Sequence, residues 1–189
     1  MHLYLIRHPR PAVAEGLCYG RTDLPLAEHP AACASLLRQQ LPPGLPVFSS
    51  PLQRCRLLAE QLHPAPCYDA RLRELDFGDW ERQPWDAIDR MALDAWAADP
   101  LHFIPPGGEA VAQMRLRVRD FLDGLRGDAI LVTHAGVMKL ICADWLGLAE
   151  SDWLGLRFAY GALRTVSSDA PPSVPWSCAV QNNAGRDRH

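Results

Sequence analysis

Two short, wholly apolar runs that each stop at a histidine constrain this chain more than anything else in it. Leu3 to Ile6 runs into Arg7-His8, and Ala129 to Val132 runs into Thr133-His134. Both are far shorter than the ~18 apolar residues of a membrane span. Short apolar runs bounded by polar residues suit strands buried on both faces, as in a parallel sheet covered by helices.

The rest of the chain alternates accordingly. After Arg7-His8, Pro9-Arg10-Pro11 can continue neither a helix nor a central strand, and the segment to Pro25 carries Gly16 and Gly20, so a long irregular loop is expected over the strand's carboxyl end. The spacing of Leu36, Leu37 and Leu41 predicts a helix over 27–41, closed by Pro42-Pro43-Gly44. A strand is expected at Pro46–Phe48. A helix should then start with Ser50 as N-cap and Pro51 at its first position. A third short strand falls near Cys67-Tyr68, and a helix is predicted from Trp85 to Ala98. Another, from Val111 to about Leu125, leads into the strand at 129–132, and Val137 to Leu146 is apolar all round, as a central buried helix would be. One further strand is expected within 157–168.

This alternation predicts an α/β fold: a three-layer α/β/α sandwich with a mainly parallel central sheet, whose ligands sit beyond the carboxyl ends of the strands. A single domain is expected over residues 1–170, with a lid-like insertion at about 82–106 and a loosely packed tail at 171–189. The net charge of −3 supplies no bulk attraction for nucleic acid or anionic membrane. The start, MHLYLIRH, has only four apolar residues before Arg7, against the ~7–15 of a signal peptide, and is read as soluble and cytoplasmic. Six cysteines form no CxxC pair, so most are expected to be small buried hydrophobes.

The two histidines therefore fall at the ligand-binding edge. Arg7 stands at the end of a buried strand, where a guanidinium is costly unless an anion compensates it. Arg54, one turn into the helix after Ser50-Pro51, can point over the same edge. Two arginines and two histidines converging there make an anion site, most naturally for a phosphoryl group, which arginine binds in a planar fork. Any anion must be held by this local cluster, since the chain as a whole is mildly acidic.

Five segments, in order, now resemble the histidine phosphatase superfamily, the phosphoglycerate mutase-like family. They are Leu5-Ile6-Arg7-His8, Ser49-Ser50-Pro51-Leu52-Gln53-Arg54, Leu72-Arg73-Glu74-Leu75-Asp76-Phe77-Gly78-Asp79-Trp80-Glu81, Pro106-Gly107-Gly108-Glu109 and Val132-Thr133-His134-Ala135-Gly136. The resemblance runs from the first strand to about residue 147. It implies His8 as nucleophile, Arg7, Arg54 and His134 as the phosphate pocket, and Glu74 as proton donor, with Ala135, Arg10, Tyr19 and Glu109 as further substrate contacts. Neutral imidazole attacking phosphorus would form a phosphohistidine, so no metal or cofactor is required, and the partner is a small phosphorylated metabolite. Within the superfamily, Gly16 to Leu26 is similar to the loop of α-ribazole phosphatases, which act late in cobalamin nucleotide-loop assembly. The short spacing from Glu81 to Gly107 favours hydrolysis over the phosphoryl return of a mutase.

Several positions carry two readings. Pro9 replaces the family's usual glycine and removes a backbone N–H, while Arg10 adds charge at the rim; a broad-specificity sugar or nucleotide phosphatase and a catalytically weak phosphate-ester-binding protein are the alternatives. Glu74 as a surface partner of Arg71 or Arg73 competes with its catalytic reading. Glu109 sits either near substrate or in a helix-start turn. Trp80, Trp85 and Trp96 either stack on a heterocycle or form core. Arg115, Arg117 and Arg119 alternate with apolar residues on one helix, so at least some must be solvated. Oligomeric state is open, a homodimer included.

Overall fold

The computed structural model describes residues 1–167; the expected tail at 171–189 and the boundary at 170 lie outside them. Five strands form one sheet: β1 (His2–Arg7), β2 (Val47–Ser49), β3 (Cys67–Tyr68), β4 (Ala129–Thr133) and β5 (Leu163–Ser167). Their order is β3-β2-β4-β1-β5. All neighbours are parallel except β5, which runs antiparallel along β1 at the edge.

Alternation along the strands divides the core in two. Leu3, Leu5, Ala129, Leu131 and Val166 face α4 (Val111–Asp123) and α5 (Ala135–Leu146). Ile6, Val47, Ile130 and Val132 face α1 (Ala31–Arg38) and α2 (Gln53–Leu62). Helices thus cover both faces, which is the three-layer sandwich expected. α5 buries residues on all sides, from Val137 to Trp145. Cys18, Cys55 and Cys142 are buried, whereas Cys67 is exposed.

Three helix boundaries differ from expectation. The helix predicted over 27–41 begins only at Ala31, with Pro30 as its N-cap, because the residue before a proline is disfavoured in helical conformation. The helix predicted from Trp85 is broken. A 3-10 turn at Trp85–Ala87 ends in extended backbone at Ile88, and α3 (Arg90–Ala98) starts afresh, its N-cap Asp89 accepting from the Ala92 N–H at 2.9 Å. Ser50 is not the N-cap of α2 and Pro51 is not its first residue. Leu52 holds the cap position, and the Gln53 N–H is instead met by Asp23 Oδ1 at 2.7 Å.

The segment 82–106 folds onto a small third core of Cys18, Trp80 and Ile88, with Trp85, Trp96 and Phe103 packed against it. Trp85 and Trp96 stack with centroids 5.7 Å apart, so Trp80 and Trp85 follow the core reading, while Trp96 is only partly buried against that core. Trp96 also borders a cleft beside Glu74. A short α6 (Glu150–Trp153) follows α5, and no described helix is long and apolar enough to cross a membrane.

Candidate active site

Parallel pairing places three strand ends side by side. Arg7 is in register with Thr133, and the ladder continues one residue further: the His8 N–H donates to Thr133 O and the Ser50 N–H to Val132 O, each at 3.0 Å. His8, Ser50 and His134 therefore meet beyond the carboxyl edge. The rings of His8 and His134 lie 5.1 Å apart, edge to face. Both are buried, as is Arg54.

The state of His8 follows from its neighbour. Its Nδ1 lies 2.7 Å from the Pro9 carbonyl, and a carbonyl only accepts, so the proton sits on Nδ1 and the lone pair on Nε2. Pro9 loses an N–H but uses its oxygen to orient the imidazole. Burial, and then the nearby Arg54 charge, push the His8 pKa down to about 3, with Arg7 adding to the effect and the Pro9 carbonyl opposing it. His8 is thus neutral at physiological pH. His134 is driven well below its ordinary value by the same burial and by Arg54. Its Nε2 lies 2.9 Å from Ser50 Oγ, and Cys55 Sγ is within 3.5 Å.

Two guanidiniums flank these rings. Arg7 donates from Nη1 to Phe158 O at 2.5 Å and lies 3.8 Å from the centre of the Tyr160 ring. Arg54 donates to the carbonyls of Thr22 (2.7 Å) and Gly20. Neither has a carboxylate partner within ion-pair distance, and in each the buried Nε is without an acceptor, among the described residues. Unpaired buried donors on two cations beside a neutral imidazole are what an incoming phosphoryl dianion requires.

Glu74 meets the start of the helix that His134 caps. Its Oε2 accepts from the Gly136 N–H at 3.0 Å, at the positive end of α5, and its Oε1 from Leu75 N at 3.1 Å. It pairs neither with Arg71, which binds Asp69 and Asp120, nor with Arg73, whose buried Nε has no acceptor among the described residues. Arg117 fixes the backbone here, donating to the carbonyls of Arg71, Arg73 and Glu74 at 2.6–3.0 Å. Arg115 and Arg119 both pair with Asp144. Glu74 lines a cleft of about 250 Å³ with Tyr19, Phe77, Trp96, Ala135, Gly136 and Lys139. The Lys139 ammonium donates to Leu154 O at 3.0 Å.

The remaining expected contacts are spread out. The Tyr19 and Tyr160 hydroxyls meet at 2.8 Å, and the Tyr19 ring lies 5.7 Å from the Arg54 guanidinium. Arg10 is exposed, 3.7 Å from Glu15, in a second cleft shared with Tyr19 and Tyr160. Glu109 is committed elsewhere: its carboxylate pairs with Arg117 and Arg21 and accepts from Asp76 N. Sequence reasoning missed the supports of the loop at 16–26, namely Glu81, Asp23 and Arg21, as well as Ser50, Tyr160 and Lys139 as residues of the site. The signal for Arg21 and Asp23 was present as Gly20-Arg21-Thr22-Asp23, a tight polar cluster at a position needing a glycine: a β-carbon at Gly20 would overlap the Leu75 carbonyl. Among the described residues no group of three or more His, Cys, Asp or Glu is arranged to hold a metal ion.

Comparison with known proteins bears on the family and the fold. Residues 3–172 match the histidine phosphatase superfamily (branch 1). A Hydrogenobacter thermophilus protein named "Putative phosphoserine phosphatase 2" is 28% identical over 166 residues, which are 80% of this chain and 82% of that protein. A solved structure from Thermus thermophilus is similar with a TM-score of 0.76 and 35% identity, over 95% of this chain and 98% of the other. A phosphoglycerate mutase from the same organism is similar with a TM-score of 0.72 and 34% identity, over 96% and 100% of the two chains. The chain thus belongs to the histidine phosphatase superfamily and is a phosphatase.

Proposed function

We propose that this phosphatase hydrolyses a phosphomonoester through a phosphohistidine at His8 Nε2, and that its substrate is α-ribazole 5′-phosphate in cobalamin nucleotide-loop assembly. One observation carries the mechanism: a buried imidazole whose proton is tied to the Pro9 carbonyl keeps its Nε2 lone pair free, near two guanidiniums with unpaired Nε–H groups. His8 Nε2 forms a bond to phosphorus as the phosphorus–oxygen ester bond breaks, and the leaving oxygen takes a proton from the Glu74 carboxyl. Water then attacks phosphorus, Glu74 accepts its proton, and the phosphorus–nitrogen bond breaks to release phosphate. Arg7, Arg54 and His134 hold the equatorial oxygens.

The substrate reading rests on the cleft against Glu74. Its Phe77 and Trp96 side chains offer rings to a flat heterocyclic alcohol beside the carboxyl that would protonate the leaving oxygen. Lys139 in the same cleft favours a second reading, a small anionic alcohol, and that would align the protein with the phosphoserine phosphatase relative.

Quenching with labelled substrate tests the mechanism. A base-stable, acid-labile phosphate should accumulate in the native enzyme and be absent from His8→Ala; its persistence in the variant would remove His8 as nucleophile. In a substrate panel, α-ribazole phosphate should give a higher kcat/KM than phosphoserine, sugar phosphates or nucleotides, and a preference for phosphoserine would install the second reading.

A further inference from the structure

Arg54 is the most deeply buried cation of the site, and what holds it is a backbone bracket rather than a carboxylate. The Gly20 and Thr22 carbonyls accept from its two terminal nitrogens. On the opposite side of the same short segment, the N–H groups of Gly20, Arg21 and Thr22 all donate to one carboxylate, Glu81, at 2.7–3.0 Å. Thr22 Oγ1 and the Phe77 N–H complete its shell, the latter at 3.2 Å. The peptide dipoles of residues 20–22 are therefore sandwiched between an anion and a cation.

We propose that Glu81 is a positioning residue for Arg54, holding the guanidinium fork toward the phosphoryl group through the backbone of residues 20–22. A carboxylate paired directly with Arg54 would compete with phosphate for the same N–H groups. Placed one peptide away, Glu81 orients the two carbonyls and supplies compensating negative charge while Arg54 Nε stays unpaired. Burial works against the charged form of Glu81, but the hydrogen bonds from Thr22, Gly20 and Arg21 outweigh it and hold the carboxyl below its usual range. Gln at this position keeps the shape but turns one acceptor oxygen into a donor facing backbone N–H groups, which the bracket cannot accommodate.

The inference rests on the reading of Arg54 as a phosphoryl ligand, and a double-mutant cycle separates the two. Inorganic phosphate binding is measured by titration calorimetry for the native protein, Arg54→Lys, Glu81→Gln and the double variant, with KM and kcat alongside. Glu81→Gln should weaken phosphate binding roughly 10- to 100-fold, the scale of a charge-assisted hydrogen bond, and raise KM by a similar factor. In the Arg54→Lys background the same change should add little, because the fork it positions is gone. If Arg54→Lys leaves phosphate affinity intact, the site reading fails. If Arg54→Lys weakens binding but Glu81→Gln does not, or its effect is fully additive, the positioning role fails. Should Glu81→Gln not fold, Thr22→Val removes one donor to the carboxylate and should shift phosphate affinity in the same direction by a smaller factor; no shift would equally overturn the role.

Discussion

Ser50 shows how one hydroxyl can serve a purpose other than the one its neighbours suggest. In Ser-Pro before a helical pattern it reads as a cap, yet its Oγ lies 3.4 Å from Leu52 N and 2.9 Å from His134 Nε2. Deleting it leaves the buried imidazole nitrogen with only the weakly bonding Cys55 thiol, 3.5 Å away. Ser50→Ala should therefore cost about 1–3 kcal/mol of stability in urea unfolding and lower turnover by freeing the His134 ring; unchanged stability would show that the contact is incidental. The reason the sequence could not reveal this is spatial. Only the pairing of β2 with β4 brings residue 50 beside residue 134. His8, Arg7 and Arg54 were legible because each stands next to a recognisable strand end or helix start. Glu81 was not, since its partners are backbone N–H groups of a loop some sixty residues earlier, and backbone leaves no trace in composition.

At the level of elements, the start of α5 is the most sharply defined. His134 occupies its N-cap and the next two residues, Ala135 and Gly136, line the cleft with Glu74. A β-carbon at Gly136 would collide with the Glu74 carboxylate. Gly136→Ala should thus separate stability from catalysis. Alanine is the better helix former by ~1 kcal/mol, so the melting temperature should hold or rise. Displacing Glu74 should cut kcat roughly 100-fold. A variant that turns over normally would mean Glu74 need not sit where it does. Element existence was legible throughout from apolar spacing, because the strands are short and the helices amphipathic. Boundaries were not: Asp89 restarts a helix inside a continuous pattern, and Asp23 caps α2 from across the loop, both decisions made by single side chains.

For the molecule as a whole, a net charge of −3 coexists with a buried cationic corner, and this dictates how stability responds to acid. His8 binds a proton in the folded state only near pH 3, whereas the unfolded chain does so near 6.5; His134 is shifted in the same direction. Between those values the unfolded state holds more protons, so stability is full above about 6.5 and is lost as pH falls toward 3. Thermal melts in phosphate-free buffer at about pH 7.5 and about pH 5 should show this loss, and His8→Asn should reduce it; an equal loss in the variant would mean that His8 takes up its proton in the folded state as readily as in the unfolded one. The layered α/β architecture was legible from alternation, while the strand order was not, since nothing local in the sequence says that β1 and β4 are neighbours.

That neighbourhood has a consequence for how the protein comes into being. His8 follows a strand that is translated before any other in the sheet, but that strand lies between β4 and β5, and the backbone there is closed off by the Gly161 N–H. Until residues 129–167 have been made, His8 has no sheet to join, no His134 beside it and no Tyr160 over Arg7. The earlier elements of this corner must wait for the later ones, so β1, β4 and β5 are all in place before His8 and Arg7 have their partners. A fold closed by such distant pairings gathers its sheet and its chemistry in one late event.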